Sequence, residues 1–164
     1  MTPVLQEKWA EYRKIHPEIK LFALVNGLQY ERHFGNEITY IAGVNNPLFR
    51  QHPDAKIAFA GPWLFDMAQA PSWAKKLSEL ERAAPSVSWL HTALSLDNLT
   101  RHLEPYLNVR LEAGETALLR FYDPRILHKI RDVFSLEQLA DFTDGIDEWV
   151  YSFDCHDHFV RGGQ

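Results

Sequence analysis

The chain has 164 residues, of which 46% are hydrophobic and 24% are charged, and its formal net charge at pH 7 is −5. These values predict one folded domain whose core needs neither a disulfide nor a metal ion for stability. The acidic balance speaks against a nucleic-acid partner, since phosphate binding needs a basic face. We expect a cytoplasmic protein without a signal peptide, a membrane segment or a membrane partner, because Cys155 is the one cysteine and no apolar run reaches the length of a bilayer span.

Hydrophobic periodicity in the first half of the chain predicts helices that alternate with strands. Thr2 and Pro3 suit the cap and the first turn of a helix, and Gly61-Pro62 divides a later apolar run. In chain order, the predicted elements are a helix over residues 3–16, a buried strand over 19–25, a short helix to about residue 33, a long loop over 36–56 with a brief strand at 38–42, and two extended pieces over 57–67.

The second half of the chain carries stronger start signals for helices. Ser72, Ser95 and Asp123 are predicted N-caps, and Ser135 with Gln138 forms a capping-box pattern. In chain order, the predicted elements are a helix over residues 73–84, a strand over 87–94, a helix over 96–104, a strand over 107–111, a central strand over 116–122, a helix over 124–134, a helix over 136–142 and a last strand over 148–154.

The alternation of strands and helices predicts an α/β (α+β) fold with a mixed β-sheet covered by helices, and residues 1–164 are expected to form a single domain. The sequence contains no glycine-rich phosphate loop and no nucleophile elbow. We therefore expect no cofactor, and no residue is named as catalytic.

The most chemically suggestive segment is Arg120-Phe121-Tyr122-Asp123-Pro124-Arg125, which lies where the central strand is predicted to end. Ligand sites of α/β folds often lie at such strand ends. Asp123 could act as a general base between two arginines that bind an anion. Alternatively, Asp123 is a helix N-cap and Arg120 is its partner. The capping pattern accounts for Asp123 without any catalytic role, so the structural interpretation is preferred.

A second candidate site is the segment Asp154-Cys155-His156-Asp157-His158. In an extended chain, Asp154, His156 and His158 would share one face, and all three are residue types that bind zinc. Such a site would serve a small metal-dependent hydrolase. It would need a fourth ligand from elsewhere, and no paired-cysteine motif completes it. We therefore predict no metal site here and expect a solvated segment.

Aromatic residues make up 13% of the chain, and most of them are expected to fill the core. Four are also candidates for exposed anchors that bind a partner protein, because aromatic side chains often dominate such interfaces. These candidates are Phe49, Trp63, Trp149 and Tyr151.

Four phrases, in this order, carry a resemblance to a known family: FALVNG at residues 22–27, GPWL at 61–64, LDNLTRHL at 96–103 and LRFYDPR at 119–125. The chain resembles, from about residue 22 to 144, the domain-of-unknown-function family of type VI secretion adaptor proteins, also called effector chaperones. It departs from the family pattern at Asn26, where Asp is common, and at Pro105, which interrupts a helix that is usually longer. Larger members also carry a further C-terminal lobe.

This resemblance implies a non-enzymatic cytoplasmic adaptor. The adaptor would bind a secreted toxic effector protein and promote its loading onto the C-terminal region of a VgrG spike protein. In this interpretation Trp63, Arg120, Asp123 and Arg125 either contact a partner or build the scaffold of the motifs. An immunity-like protein that neutralises one toxin is the alternative, and the net charge of −5 would suit a basic target.

Overall fold

The chain folds around an antiparallel six-stranded sheet and a separate two-stranded hairpin. The structure, a computed structural model, describes residues 1–50 and 54–161. The strands are β1 (Lys20–Asn26), β2 (Asn45–Pro47), β3 (Pro62–Asp66), β4 (Val87–Thr92), β5 (Asn108–Arg110), β6 (Thr116–Leu118), β7 (Ile146–Phe153) and β8 (His156–Val160). Strand order in the large sheet is β2-β3-β1-β4-β7-β8, and β5 pairs with β6 in the hairpin.

Helices and short 3-10 segments connect these strands. The helices are α1 (Pro3–Ile15), α2 (Gly27–Phe34), α3 (Ala74–Ala83), α4 (Leu96–Leu103), α5 (Pro124–Leu127), α6 (Ile130–Val133) and α7 (Leu136–Phe142). The 3-10 segments are Asp54–Ala60, Pro71–Trp73 and Glu104–Leu107. Among residues 1–50 and 54–161, no helix is long and apolar enough to cross a bilayer.

Strand β1 explains why the sheet has two covered faces. Successive side chains of a strand point to opposite faces, and β1 is apolar on both. Phe22 and Leu24 pack into a first core under α4 to α7, and Ala23 and Val25 pack into a second core under α2 and α3. The α/β class with a helix-covered sheet is therefore confirmed. All five strand pairings of the large sheet are antiparallel, so its described part has none of the parallel pairs that a mixed sheet contains.

Several predicted elements are confirmed within a residue or two, namely the helix at α1, the strand at β1 and the helix at α4. The capping box of α7 is also present, since Ser135 Oγ accepts from the Gln138 amide and the Gln138 side chain accepts from the Ser135 amide. Helix α3 differs at its start, because the 3-10 turn Pro71–Trp73 precedes it and Ser72 is not its cap. Capping residues and hydrophobic periodicity are thus sufficient to predict these elements, because both are relations between residues close in sequence.

The brief strand predicted at residues 38–42 is wrong, and the edge strand lies at β2 instead. Of the two extended pieces predicted over residues 57–67, the first is 3-10 helical and the second is β3. Residues 51–53 of the predicted loop lie outside the described residues. The helix predicted over residues 124–134 is divided into α5 and α6.

The central strand predicted over residues 116–122 is also wrong. Strand β6 ends at Leu118 and belongs to the peripheral hairpin with β5. The following Leu119, Phe121 and Tyr122 pack into the first core from an irregular segment. These residues are apolar because they are buried. Burial of alternate side chains does not require that the segment pair as a β-strand.

Candidate functional site

Three of the four family-like phrases meet around Gly61, at one end of β1 and β3. The amide of Gly27 donates to the carbonyl oxygen of Gly61 over 2.8 Å. A Cβ atom on Gly27 would lie 2.0 Å from the carbonyl oxygen of Phe59, and one on Gly61 would lie 2.3 Å from the ring of Phe49. The Phe49 ring meets Tyr122 edge-to-face, with centroids 6.2 Å apart. We call Gly27, Phe49, Gly61, Tyr122 and Asp123 the motif cluster; its two glycines are required by close packing.

The fourth phrase, which forms α4, is attached to the chain segment that leads into the motif cluster. The side-chain amide of Asn46 donates to Asp97 Oδ1 over 2.9 Å and to Thr100 Oγ1 over 3.2 Å. Arg50 Nε donates to Glu104 Oε1 over 2.5 Å. The edge strand β2 is thereby fixed against α4, so the four phrases form one continuous scaffold.

Asp123 is occupied within the chain. Its Oδ1 accepts from the backbone amide of Arg125 over 2.9 Å and from Arg125 Nε over 3.0 Å, and its Oδ2 accepts from Arg125 Nη2 over 2.6 Å. These hydrogen bonds with Asp123 raise the pKa of the Arg125 guanidinium. The expectation that Arg120 is the partner of Asp123 is wrong, because the Arg120 side chain is exposed and only its backbone carbonyl bonds to Asp123. Asp123 is thus a helix cap held by its own neighbour.

The four aromatic anchor candidates lie in the cores. Trp63 is 4% exposed and packs in the second core, where its Nε1 donates to the carbonyl oxygen of Phe59 over 3.3 Å. Phe49, Trp149 and Tyr151 are at most 5% exposed and belong to the first core. The expectation of exposed anchors is therefore wrong, and Trp63 supports the scaffold.

The predicted face of Asp154, His156 and His158 does not form. Asp154 and Cys155 have positive φ angles and make the turn between β7 and β8, as in a two-residue hairpin. His156 Nδ1 donates to the carbonyl oxygen of Asp154 over 2.7 Å, and His158 Nε2 donates to that of Phe153 over 3.2 Å. In the part of the chain that the structure describes, no group of three or more His, Cys, Asp or Glu is placed to hold a metal ion.

The sequence did not indicate an open groove of about 690 Å³ between α1 and α3. We call it the α1–α3 groove. Leu21 and Trp89 form part of its apolar floor, Arg13 lines its α1 side, and Ala74 and Ser78 line its α3 side. The groove and the motif cluster lie at opposite ends of the β1–β3 pair. In the antiparallel register, Phe22 pairs with Asp66 at the end near the groove, and Asn26 pairs with Pro62 at the end near the motif cluster.

A polar contact beneath α1 holds the arginine of this groove. His91 of β4 is fully buried, and its ring stacks on Trp9 with centroids 3.8 Å apart. Burial and the charge of Arg13 lower the pKa of His91 to about 3, so its ring is neutral at pH 7. Its Nε2 therefore accepts from Arg13 Nη1 over 3.0 Å. A histidine inside the apolar strand β4 was the one sequence signal that could have pointed to this region.

The family model described as Domain of unknown function (DUF4123) matches residues 21–141. This range begins in β1 and ends in α7, so α1 and the hairpin of β7 and β8 lie outside it. No curated protein and no solved structure matches the chain. The α1–α3 groove is therefore formed partly by matched elements and partly by a helix beyond the match.

Proposed function

Because the chain belongs to the DUF4123 family of domains of unknown function, we propose that it is a non-enzymatic cytoplasmic adaptor of type VI secretion. The adaptor binds a secreted toxic effector and promotes its loading onto the C-terminal region of a VgrG spike protein. The likeness of the four ordered phrases to such adaptors leads to this class of function. No cofactor, nucleic acid or membrane takes part.

One observation carries the proposal: Asp123 of the motif cluster is paired with Arg125, whereas Arg13 of the α1–α3 groove has no carboxylate partner among the described residues. Asp123 is bound to Arg125 and to the start of α5, so it holds the fold together. The groove combines an apolar floor with a half-buried arginine. Protein interfaces favour such a combination of apolar and arginine surface. A binding function is thus better supported than a catalytic one.

The immunity-like alternative is favoured by the net charge of −5, which would suit the neutralisation of a basic toxin. An immunity protein binds its toxin without the spike and blocks toxicity. An adaptor binds both proteins and need not inhibit the toxin. An adaptor is therefore expected in one complex with both toxin and spike, and an immunity protein in a complex with the toxin without the spike.

Affinity purification of the tagged protein from its native host, followed by mass spectrometry, tests the proposal. We expect a spike protein and a secreted toxin to be recovered together, and neither with the tag alone. Deletion of the gene should abolish secretion of that toxin while the spike is still secreted. A toxin recovered without the spike, and inhibited on co-expression, would support immunity and contradict the adaptor function.

A further inference from the structure

We propose that the α1–α3 groove binds an apolar peptide segment of a partner protein that carries an acidic side chain, which pairs with Arg13. The identification of that partner as the effector rests on the proposed adaptor function. The binding site itself is argued from the residues of the groove.

Arg13 is an incompletely paired cation. Its side chain is half-buried, and its one hydrogen bond with a described residue is the donation from Nη1 to His91 Nε2. No carboxylate among residues 1–50 and 54–161 lies within ion-pair distance of it. Burial lowers the pKa of this guanidinium. A cation that has lost water without gaining an anion is unfavourable, so a carboxylate entering the groove would complete its hydrogen bonds.

The surroundings of Arg13 hold it in place for such a ligand. Neutral His91 anchors one nitrogen of the guanidinium, and the ring of Trp9 covers His91. Lys20 also lines the groove, whereas Asp66, the one carboxylate in the described lining, accepts from the amide of Ala68 over 3.0 Å. The groove thus carries a positive excess on an acidic protein, which favours an acidic segment.

The remaining lining favours a peptide over an acyl chain. Leu21, Met67 and Trp89 supply apolar surface. Gln69, in the turn after β3, and Ser78 of α3 also line the groove, and their side chains make no hydrogen bond within the described ranges. A peptide carries amide groups that need donors and acceptors on being buried, whereas an acyl chain has none. The volume of about 690 Å³ lies in the usual range of ligand sites.

Selection of short random peptides displayed on phage against the full chain provides the probe. The affinity of the selected peptides is then compared between the wild type and two variants. Arg13→Gln removes the charge and keeps a polar side chain. Ala74→Trp fills the groove from the exposed surface of α3. Lys14→Gln and Lys75→Trp are matched controls, because both lysines are exposed neighbours that do not line the groove.

We expect the selected peptides to contain Asp or Glu among apolar residues. Their affinity should fall at least about tenfold in Arg13→Gln and Ala74→Trp and change by less than about twofold in the controls, at unchanged melting temperature. Selected peptides without acidic residues, or with equal affinity for Arg13→Gln, would overturn the proposal. The proposal would also be overturned if no peptide were selected and dodecanoate bound to wild type but not to Arg13→Gln. The groove would then bind an amphiphile.

The two proposals fail in different ways. If spike and effector co-purify equally well with wild type, Arg13→Gln and Ala74→Trp, the groove proposal is wrong and the adaptor function stands. If the selected peptides behave as expected but no spike protein is ever recovered, the groove binds peptides and the adaptor function is wrong.

Discussion

The motif cluster and the α1–α3 groove lie at opposite ends of β1 and β3, and they differ in how their polar groups are used. In the motif cluster, both carboxylate oxygens of Asp123 are bonded and the two glycines leave no room for a side chain. In the groove, Arg13 has no carboxylate partner in the part of the chain that is described. The residues that make the sequence recognisable therefore build the scaffold, whereas the proposed binding surface is built from residues that no motif marks.

The sharpest way to break the motif cluster is Gly27→Ala. The added Cβ would meet backbone carbonyl oxygens of Phe59 and Gly61 at 2.0 Å and 2.7 Å, and backbone cannot rotate away as a side chain can. We expect a loss of about 3 kcal/mol or more in the free energy of unfolding, measured by urea denaturation.

Gly114→Ala is the matched control for this change. Gly114 has a φ of +86°, and no atom of the described residues outside its chain neighbours lies within 4 Å of the added Cβ, so only backbone strain of about 1 kcal/mol is expected. Equal losses in the two variants would contradict the close packing of the motif cluster.

The second test concerns the neutral His91 beneath the groove. Its pKa is about 3 in the folded chain and is taken as 6.5 in the unfolded chain, so the unfolded chain binds the proton first. Stability should therefore fall as the pH is lowered from 6.5 towards 3, by at most about 1.4 kcal/mol per pH unit. Urea denaturation at about pH 6.5 and about pH 4.5 should show a loss about 2 kcal/mol larger in wild type than in His91→Phe.

The comparison with His91→Phe isolates this effect from its neighbours. Glu148 lies opposite His91 on β7, and burial raises its pKa. That shift acts in the opposite direction, because the folded chain then holds the proton more tightly and gains relative stability as the pH falls. Glu148 is present in both proteins, so an identical pH dependence of the two would contradict a buried neutral His91.

A smaller effect is expected for Asp123→Ala, about 1 kcal/mol of stability through the lost helix cap. Arg125→Gln should cost less than about 0.5 kcal/mol, since the guanidinium is largely exposed. Both variants should bind partners like wild type in affinity purification. Loss of partner binding at an unchanged melting temperature would instead place Asp123 in the interface.

The smallest effect on stability is expected for Arg13→Gln. The substitution removes a half-buried cation that has no carboxylate partner among the described residues, and this gain offsets the loss of its hydrogen bond to His91. We expect a change within about 0.5 kcal/mol in the free energy of unfolding, with peptide affinity at least about tenfold lower. A large loss of stability would mean that Arg13 belongs to the scaffold, as Asp123 does.

The sequence predicted those parts of the fold that are determined locally. The capping pattern at Ser135 was sufficient to predict the start of α7, and the apolar run at residues 19–25 was sufficient to predict β1. The segment 116–122 failed because its apolar side chains pack into the first core without forming a central strand. Strand β8 was missed because an edge strand of polar residues lacks the apolar pattern of a buried one.

The candidate site was less predictable than the fold. Asp123 could be recognised as a cap because capping is a local relation between neighbouring residues. The contact of Arg13 with His91 joins residues 78 positions apart, and only the packing of α1 on β4 brings them together. A histidine in an apolar strand indicates burial, but it does not indicate which element supplies its partner.

The most direct test of the account is affinity purification from the native host with three tagged proteins: wild type, Asp123→Ala and Ala74→Trp. The account predicts that spike and effector are recovered with wild type and with Asp123→Ala, and that the effector is lost with Ala74→Trp although the melting temperature is unchanged. Recovery of the effector with Ala74→Trp but not with Asp123→Ala would contradict it, because the signature residues would then form the binding surface and the groove would not.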